Sequence, residues 1–223
     1  MGWSDWVRGV EIEPSLYAAD FARLGEQVDA LLDAGVRIFH FDMGDGHFVE
    51  PVTIGPVVLR SIAPRVRERG GVLDCHLMVE NPERHIPQIA EAGGHSVTFH
   101  VEVAPDPAPL LALAREHGLG AGIAFNPETR VADAARAADG ADLVLCMSIH
   151  PGYSGQSFLP GSLERIGELR GLLPRRVHVQ VDGGVGLENV RAVREAGADL
   201  LVAGSAVLGA ADIGAAYAAL AAA

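Results

Sequence analysis

The sequence of 223 residues lacks lysine, and all 17 of its basic residues are arginine. This absence excludes catalysis through a lysine Schiff base, which is the covalent chemistry of many barrel aldolases. It also excludes every mechanism in which a lysine ammonium group donates a proton. The exclusion holds whatever the origin of the arginine-rich composition.

Cysteine and long apolar runs are also scarce. The two cysteines, Cys75 and Cys146, each lie within an apolar run, which predicts no disulfide framework and a reducing cytoplasm as the location. The segment MGWSDWVRG is charged and has no long apolar centre, so we expect no signal peptide. Because no apolar stretch approaches the roughly 20 residues of a membrane span, we expect no membrane partner.

Positive charge is in deficit, since the formal net charge is −12 at pH 7. This balance argues against nucleic acid as a partner. It does not exclude a small anion, because backbone N–H groups at helix N-termini can bind phosphate without basic side chains. A hydrophobic content of 49% and a length of 223 residues predict one globular domain over residues 1–223.

What the sequence does contain is a regular alternation of strand-like and helix-like segments. The strand patterns cover residues 10–13, 36–42, 72–77, 96–100, 120–125, 143–148, 177–181 and 200–203. The helical patterns cover residues 21–34, 57–69, 82–92, 108–116, 131–138, 163–172, 187–196 and 213–220. Alternation of this kind predicts parallel strands, and eight units in this length predict a (β/α)8 TIM barrel. A doubly wound open sheet is the alternative, but its first turn, EPSLYAADF, has no G-x-G-x-x-G motif.

Four side chains typical of metal sites stand at the ends of three strands. His40 and Asp42 end the second strand, His76 ends the third, and Asp182 ends the seventh. Residues i and i+2 of a strand share a face, and the carboxyl ends of a parallel barrel form one rim. The spacing therefore predicts a mixed nitrogen and oxygen site for a divalent first-row metal, and two facing carboxylates suit proton transfer at carbon.

Each of these residues also has an ordinary structural interpretation. A lone histidine in a strand is commonly a buried, hydrogen-bonded residue, and an aspartate before Gly183-Gly184 is typical of a turn. The combination favours the metal site. We interpret His100 and Glu102, at the end of the fourth strand, as a structural pair that bonds across the rim.

The loops after the last three strands are rich in glycine. Gly183-Gly184 and Gly204-Ser205 follow strands seven and eight, where TIM barrels frequently bind phosphate. The loop HPGYSGQSF after strand six is either a lid over a ligand or an ordinary surface loop. Three methionines near the rim are either core residues or an apolar ring around the metal: Met43, Met78 and Met147.

Taken together, these motifs resemble the ribulose-phosphate 3-epimerase family almost from end to end. The resemblance is carried by PSLYAADFARL, HFDMGDGHF, CHLMVENPE, FHVE, MSIHPGYSGQSF, VDGGVG and VAGSAV. It implies a TIM barrel with one divalent metal ion, which zinc, iron, manganese or cobalt could provide, held by His40, Asp42, His76 and Asp182. It also implies that Asp42 and Asp182 are the catalytic acid–base pair. The implied substrate contacts are Ser15, His76, Met78, Met147, Gly152, Tyr153, Ser154, Gly155, Gly183, Gly184, Gly204 and Ser205.

The resemblance further implies the reaction, which is epimerisation at C3 of a phosphorylated ketose, D-ribulose 5-phosphate to D-xylulose 5-phosphate. It also implies a homo-oligomer. Three alternatives stay open: the same chemistry on another ketose phosphate such as allulose 6-phosphate, a barrel decarboxylase or formaldehyde-fixing enzyme, and a catalytically silent phosphosugar-binding paralogue. The second alternative expects a D-x-K-x-x-D motif, whereas Gly44 stands two residues after Asp42. The family motif usually has a methionine at this Gly44 position, and here the methionine comes one place earlier, at Met43.

Overall fold

Eight parallel strands form one sheet in the computed structural model, which describes residues 2–223. The strands are β1 (Glu11–Pro14), β2 (Ile38–Gly44), β3 (Val72–Met78), β4 (Ser96–His100), β5 (Gly120–Phe125), β6 (Leu143–Met147), β7 (His178–Asp182) and β8 (Leu200–Ala203). Every predicted strand is confirmed, and each end lies within two residues of the predicted position.

Within residues 2–223, ten α-helices surround or close this sheet. They are α1 (Trp3–Trp6), α2 (Leu24–Asp33), α3 (Pro56–Glu68), α4 (Pro82–Ala92), α5 (Ala108–Glu116), α6 (Val131–Ala137), α7 (Ser162–Leu172), α8 (Val190–Glu195), α9 (Ser205–Leu208) and α10 (Ile213–Ala222). Two 3-10 turns, Leu16–Ala18 and Phe21–Arg23, precede α2. The predicted helices are all present, whereas α1, α9 and the turn Leu16–Ala18 were not predicted, because segments of three or four residues are too short to show helical periodicity.

The sheet closes on itself. Neighbouring strands pair in the order β1-β8-β7-β6-β5-β4-β3-β2, and a parallel bridge between Ser15 and His40 joins the region after β1 to β2. This bridge rules out the open doubly wound sheet, which would leave two free edges. Closure brings the carboxyl ends of all eight strands to one rim, where TIM barrels carry their active sites.

Apolar side chains fill two separate regions. The larger cluster lies between the strands and the outer helices and includes Phe39, Phe41 and Phe99, all fully buried. The smaller cluster lies inside the barrel. It begins near the amino ends of the strands, where Trp3 and Trp6 pack with Ile38, and it reaches Met147 and Ile149 near the carboxyl ends. None of the helices in residues 2–223 is long and apolar enough to cross a membrane.

Candidate active site

The four predicted metal-type side chains meet at the carboxyl rim of the barrel. His40 and Asp42 come from β2, His76 from β3 and Asp182 from β7, and their ligand atoms all lie within 4.8 Å of one another. The alternation of β2 directs His40 and Asp42 to the barrel interior, while Phe39 and Phe41 enter the outer core. Closure of the barrel then brings Asp182 to them from a position 140 residues later in the chain.

Asp42 is the centre of this cluster. Its Oδ1 atom lies 3.1 Å from His40 Nε2 and 3.0 Å from His76 Nδ1, and its Oδ2 atom accepts a 2.5 Å hydrogen bond from the Ser15 hydroxyl. Asp182 Oδ2 lies 4.0 Å from His76 Nδ1. The Asp42 side chain is 7% exposed and that of Asp182 is 16% exposed, so both carboxylates face the opening of the barrel from a largely dry site.

The two carboxylates have opposite pKa shifts. Burial alone would raise the pKa of Asp42, but the positive charge of a protonated His40 and the close contacts with both histidine rings outweigh it and hold this pKa well below its usual range. Burial, followed by the negative charge of Asp42, raises the pKa of Asp182 to about 7. One carboxylate is therefore strongly stabilised as an anion, and the other binds a proton readily.

Beneath His40 lies a buried polar network. Asp74 Oδ2 is 3.0 Å from His40 Nδ1, and Asp74 also accepts hydrogen bonds from Ser96 at 2.6 Å and Gln180 at 2.8 Å. The Gln180 amide also donates to Glu13. Our sequence analysis missed this network, although Asp74 stands two residues before His76 and therefore shares its face of β3.

The donor atoms of this cluster suit a divalent metal ion. In the neutral ring, with the proton on the Nδ1 atom that Asp74 holds, the lone pair of His40 Nε2 is directed at the other three side chains. His40 Nε2 is buried and makes no hydrogen bond with any residue from 2 to 223, despite its closeness to Asp42. A buried ring nitrogen without a partner, aimed at two carboxylates and a second imidazole, is the arrangement that a first-row divalent ion satisfies.

His76 is supported on its other side by the fourth strand. Its Nε2 atom lies 2.8 Å from His100 Nε2, and His100 Nδ1 lies 3.1 Å from Glu102 Oε2. Burial lowers the pKa of His100 to about 4, which keeps this imidazole neutral near pH 7. The structural pair expected at the end of β4 is thus present, and its bond across the rim is to His76.

A cleft of about 520 Å³, including its open mouth, lies above the cluster. The predicted site residues that line it are Ser15, Asp42, Met78, Met147, Gly152, Tyr153, Ser154, Gly155, Asp182, Gly183, Gly184, Gly204 and Ser205. His40 and His76 lie below the lining, at the metal-type cluster. The cleft is also lined by Tyr17, Ile149, Pro151, Val185 and Val202, which our sequence analysis missed. Tyr17 could have been predicted as a cleft residue, because it lies two residues after Ser15 in the motif PSLYAADFARL.

The glycines of the β7–α8 loop allow a close approach of backbone segments. Gly183 and Gly184 have φ angles of +120° and +66°. A Cβ atom on Gly184 would lie 2.4 Å from the backbone nitrogen of Phe158, and one on Gly183 would lie 2.3 Å from the Ile149 side chain. Only glycine fits both the left-handed conformation and this spacing.

The β6–α7 loop covers one side of the cleft. Tyr153 is half exposed there, while Gln156 donates hydrogen bonds to the carbonyls of His150 and Tyr153 and holds the loop in a compact turn. Ser154 Oγ would lie 3.2 Å from a Cβ atom on Gly204, so this loop reaches across to the loop after β8.

The methionines do not form a ring. Met78 and Met147 line the cleft, whereas Met43 packs in the outer core between strands and helices. The apolar-ring interpretation is therefore wrong for Met43, because an odd-numbered residue of β2 faces away from His40 and Asp42. Gly44 is the next residue after Asp42 on the inward face of β2. A Cβ atom at Gly44 would lie 2.8 Å from the Val49 side chain and 3.0 Å from the Pro51 carbonyl.

Comparison with known proteins identifies the family of this chain. The sequence profile of the ribulose-phosphate 3 epimerase family matches residues 11–208. Ribulose-phosphate 3-epimerase 1 of Cupriavidus necator is 41% identical over 217 residues, which cover 94% of this chain and 89% of the relative. Ribulose-phosphate 3-epimerase of Bacillus subtilis is 40% identical over 207 residues, which cover 91% of this chain and 94% of the relative.

The fold is also found in solved structures of other barrels. A crystal structure of 3-hexulose-6-phosphate synthase superimposes with a TM-score of 0.70 at 22% identity, covering 96% of this chain and 98% of the other. At this identity the likeness establishes the barrel fold alone. The profile match and the 40–41% identity over nearly the whole length establish more, namely that this chain belongs to the ribulose-phosphate 3-epimerase family.

Proposed function

We propose that this protein is an isomerase that interconverts D-ribulose 5-phosphate and D-xylulose 5-phosphate by epimerisation at C3. The observation that carries this proposal is the pair Asp42 and Asp182, which line one cleft and belong to one cluster with two histidines. Family membership supports the reaction class, and the names of the relatives support the substrate.

The proposed metal ligands are His40, Asp42, His76 and Asp182. When bound, a divalent ion supplies a Lewis acid that stabilises negative charge developing on the substrate oxygens. Zinc, iron, manganese and cobalt all accept imidazole and carboxylate ligands, so the donor set supports a divalent first-row ion without selecting one of them.

In the proposed reaction, one aspartate removes the C3 proton, which the neighbouring C2 carbonyl makes acidic. The other aspartate then delivers a proton to the opposite face of the flattened carbon, and the configuration at C3 inverts. The carboxylates exchange roles in the reverse direction. Two groups of one chemical type suit a reaction whose substrate and product differ only in configuration.

The remaining proposed contacts orient the sugar phosphate. Gly183, Gly184, Gly204 and Ser205 lie on the two loops at one end of the cleft, and we assign them to the phosphate. Ser15, Met78 and Met147 lie near Asp42 and Asp182, and we assign them to the carbon chain, together with His76 below. Gly152, Tyr153, Ser154 and Gly155 would cover the substrate from the β6–α7 loop.

The decisive experiment is to incubate the purified, metal-reconstituted protein with ribulose 5-phosphate in D2O and to follow the product by NMR. We expect xylulose 5-phosphate with deuterium at C3, and we expect chelation to stop the reaction and a divalent ion to restore it. Hexulose 6-phosphates, including allulose 6-phosphate, are assayed in parallel. Faster inversion of a hexulose phosphate would replace the proposed substrate, and binding without turnover of any of them would indicate a silent paralogue.

We also propose a cytoplasmic location, which the chemistry of the thiols supports. Cys75 and Cys146 are both buried and free, so the fold does not depend on an oxidising compartment. Fractionation of cells that produce the protein would test this location.

A homo-oligomer is the further proposal about assembly. Exposed apolar side chains near the start of α3 support it, since Val52 is 78% exposed and Val57 is 83% exposed. Light scattering coupled to gel filtration measures the molar mass, and a value near 23.4 kDa would contradict an oligomer.

A further inference from the structure

The two histidines of the metal-type cluster use different ring nitrogens. His40 offers Nε2, because Asp74 holds its Nδ1 atom, whereas His76 offers Nδ1, because its Nε2 atom faces His100. A metal-binding nitrogen must have a free lone pair, so the proton of each neutral ring must sit on the other nitrogen. When a metal ion is bound at Nδ1, the proton of His76 is on Nε2, and the residue that accepts it there is His100.

Glu102 determines which way the hydrogen bonds run. A carboxylate only accepts, so the contact of 3.1 Å from Glu102 Oε2 requires the proton of His100 on Nδ1. In a neutral ring, His100 Nε2 is then an acceptor and takes the proton of His76 Nε2 at 2.8 Å. This arrangement leaves the lone pair of His76 on Nδ1 when a metal ion, rather than Asp42 Oδ1 at 3.0 Å, is the partner of that nitrogen.

Packing fixes the two rings in this orientation. His76 and His100 are both fully buried, and their planes differ by only 25° at a centroid distance of 5.0 Å. With nitrogens 2.8 Å apart, these values describe imidazoles that meet edge to edge and nearly in one plane. The Phe48 ring packs against His100 at a centroid distance of 4.6 Å, tilted by 49°, which restricts rotation of the imidazole.

The far end of this chain of contacts is anchored as well. Glu102 Oε1 accepts hydrogen bonds from the Thr129 hydroxyl and, at 2.8 Å, from the Asn126 backbone N–H. Both donors belong to the β5–α6 loop, which Arg165 of α7 holds by hydrogen bonds to the carbonyls of Asn126, Pro127 and Thr129. Glu102 is therefore oriented before any metal binds.

We propose that His100 and Glu102 are positioning residues that hold His76 in the tautomer and orientation that bind the metal ion through Nδ1. The inference rests on the metal site proposed above and adds two residues that touch neither metal nor substrate. Outer partners of this kind commonly change metal affinity by about 10- to 100-fold when they are removed.

The test measures Co²⁺ binding to the metal-free full-length protein by visible absorption, in competition with a chelator. We expect H100L to raise the dissociation constant about 10- to 100-fold, and E102Q to raise it about 10-fold, because a neutral amide selects the His100 tautomer less strongly. H100Q keeps an acceptor for the His76 proton and should recover part of the loss. The cobalt spectrum should change in H100L, which a loss of general stability would not cause.

E128Q is the matched control. Glu128 lies on the same β5–α6 loop and also pairs with a histidine, His150 at 3.0 Å, but that pair is exposed and touches no residue of the cluster. The Co²⁺ dissociation constant of E128Q should stay within about twofold of the wild-type value.

Wild-type protein that binds no Co²⁺ would overturn the metal site itself. Wild-type protein that binds Co²⁺, with folded H100L and E102Q binding equally well, would overturn only this inference. If H100L does not fold, E102Q and H100Q decide between these outcomes.

Discussion

At the scale of single residues, the site shifts the pKa values of two aspartates in opposite directions. Asp42 is surrounded by two imidazoles and a serine hydroxyl, while Asp182 faces the negative charge of Asp42. The difference comes from their neighbours, since both carboxylates are largely buried. The two carboxylates therefore differ in how readily they take up a proton.

Replacement of either aspartate should therefore stop the proposed reaction. In D42N and D182N we expect kcat to fall by at least about 100-fold, because an amide neither accepts the C3 proton nor donates one efficiently. A coupled assay for xylulose 5-phosphate measures this. Full turnover in either variant, with metal bound, would refute a mechanism that uses both carboxylates.

Glu102 should contribute to stability in a pH-dependent way. Burial raises its pKa, but hydrogen bonds from His100 and Thr129 outweigh that effect and lower the pKa to about 2, against 4.5 for an unperturbed glutamate. A lowered folded-state pKa means that the stabilisation is complete above pH 4.5 and is lost as the pH falls towards 2.

Urea unfolding at a series of pH values tests this linkage. Allowing for solvent screening of a side chain that is 23% exposed, we expect E102Q to be about 1–2 kcal/mol less stable than wild type at pH 7. The difference should shrink below pH 4.5. A gap that stays constant with pH would show that the Glu102 charge does not stabilise the fold, and E128Q provides the comparison.

At the scale of the elements, the two-residue alternation of a strand puts the polar site residues on one face and the core residues on the other. All seven residues of β2 are buried, yet His40 and Asp42 face the barrel interior while Phe39, Phe41 and Met43 face the helices. The loops then add close approaches of backbone segments that leave no room for a side chain. The β7–α8 loop depends on this most strongly, at Gly184.

We expect G184A to destabilise the fold by about 1–3 kcal/mol or more and to reduce substrate affinity. Alanine is strained at a φ of +66°, and its Cβ atom would lie 2.4 Å from the Phe158 nitrogen. G171A is the control, because Gly171 lies within α7 with nothing within 4 Å of its Cβ position, and alanine favours a helix by up to about 1 kcal/mol. Urea unfolding of both variants gives the two free energies, and equal values would contradict the close contact.

At the scale of the whole molecule, the barrel has one closed end and one open end. Trp3 and Trp6 of α1 pack edge to face at a centroid distance of 5.3 Å and close the amino end. The open carboxyl end holds the polar cluster and the cleft. The metal-type cluster thus lies at the end opposite to the tryptophan pair, as is usual for the active sites of TIM barrels.

W3A should therefore weaken the fold without altering the proposed metal site. Trp3 is 3% exposed, so its truncation should cost about 3–5 kcal/mol of unfolding free energy, measured in urea. The dissociation constant for Co²⁺ should stay within about twofold. L187A, at a side chain that is 62% exposed, should change stability by less than about 0.5 kcal/mol. A large loss of metal affinity in folded W3A would contradict the separation of the two ends.

Much of this architecture follows from the sequence because its signals are local. Alternating patterns locate the strands within two residues, and the H-x-D spacing in β2 is enough to set His40 and Asp42 on one face. The sequence by itself thus determined the order of the elements, the absence of lysine chemistry, and which strand ends carry imidazoles and carboxylates.

Only the tertiary structure decided which of these groups touch. Strand pairing sets Thr98 beside His76, yet the His76 ring reaches His100, two residues farther along β4. Asp74 bonds Gln180 across the barrel, although 106 residues separate them in the chain. Such contacts depend on the stagger between strands and on the closure of the barrel, which are properties of the whole sheet. No single segment encodes these contacts, because each depends on the relative positions of the eight strands in the closed barrel.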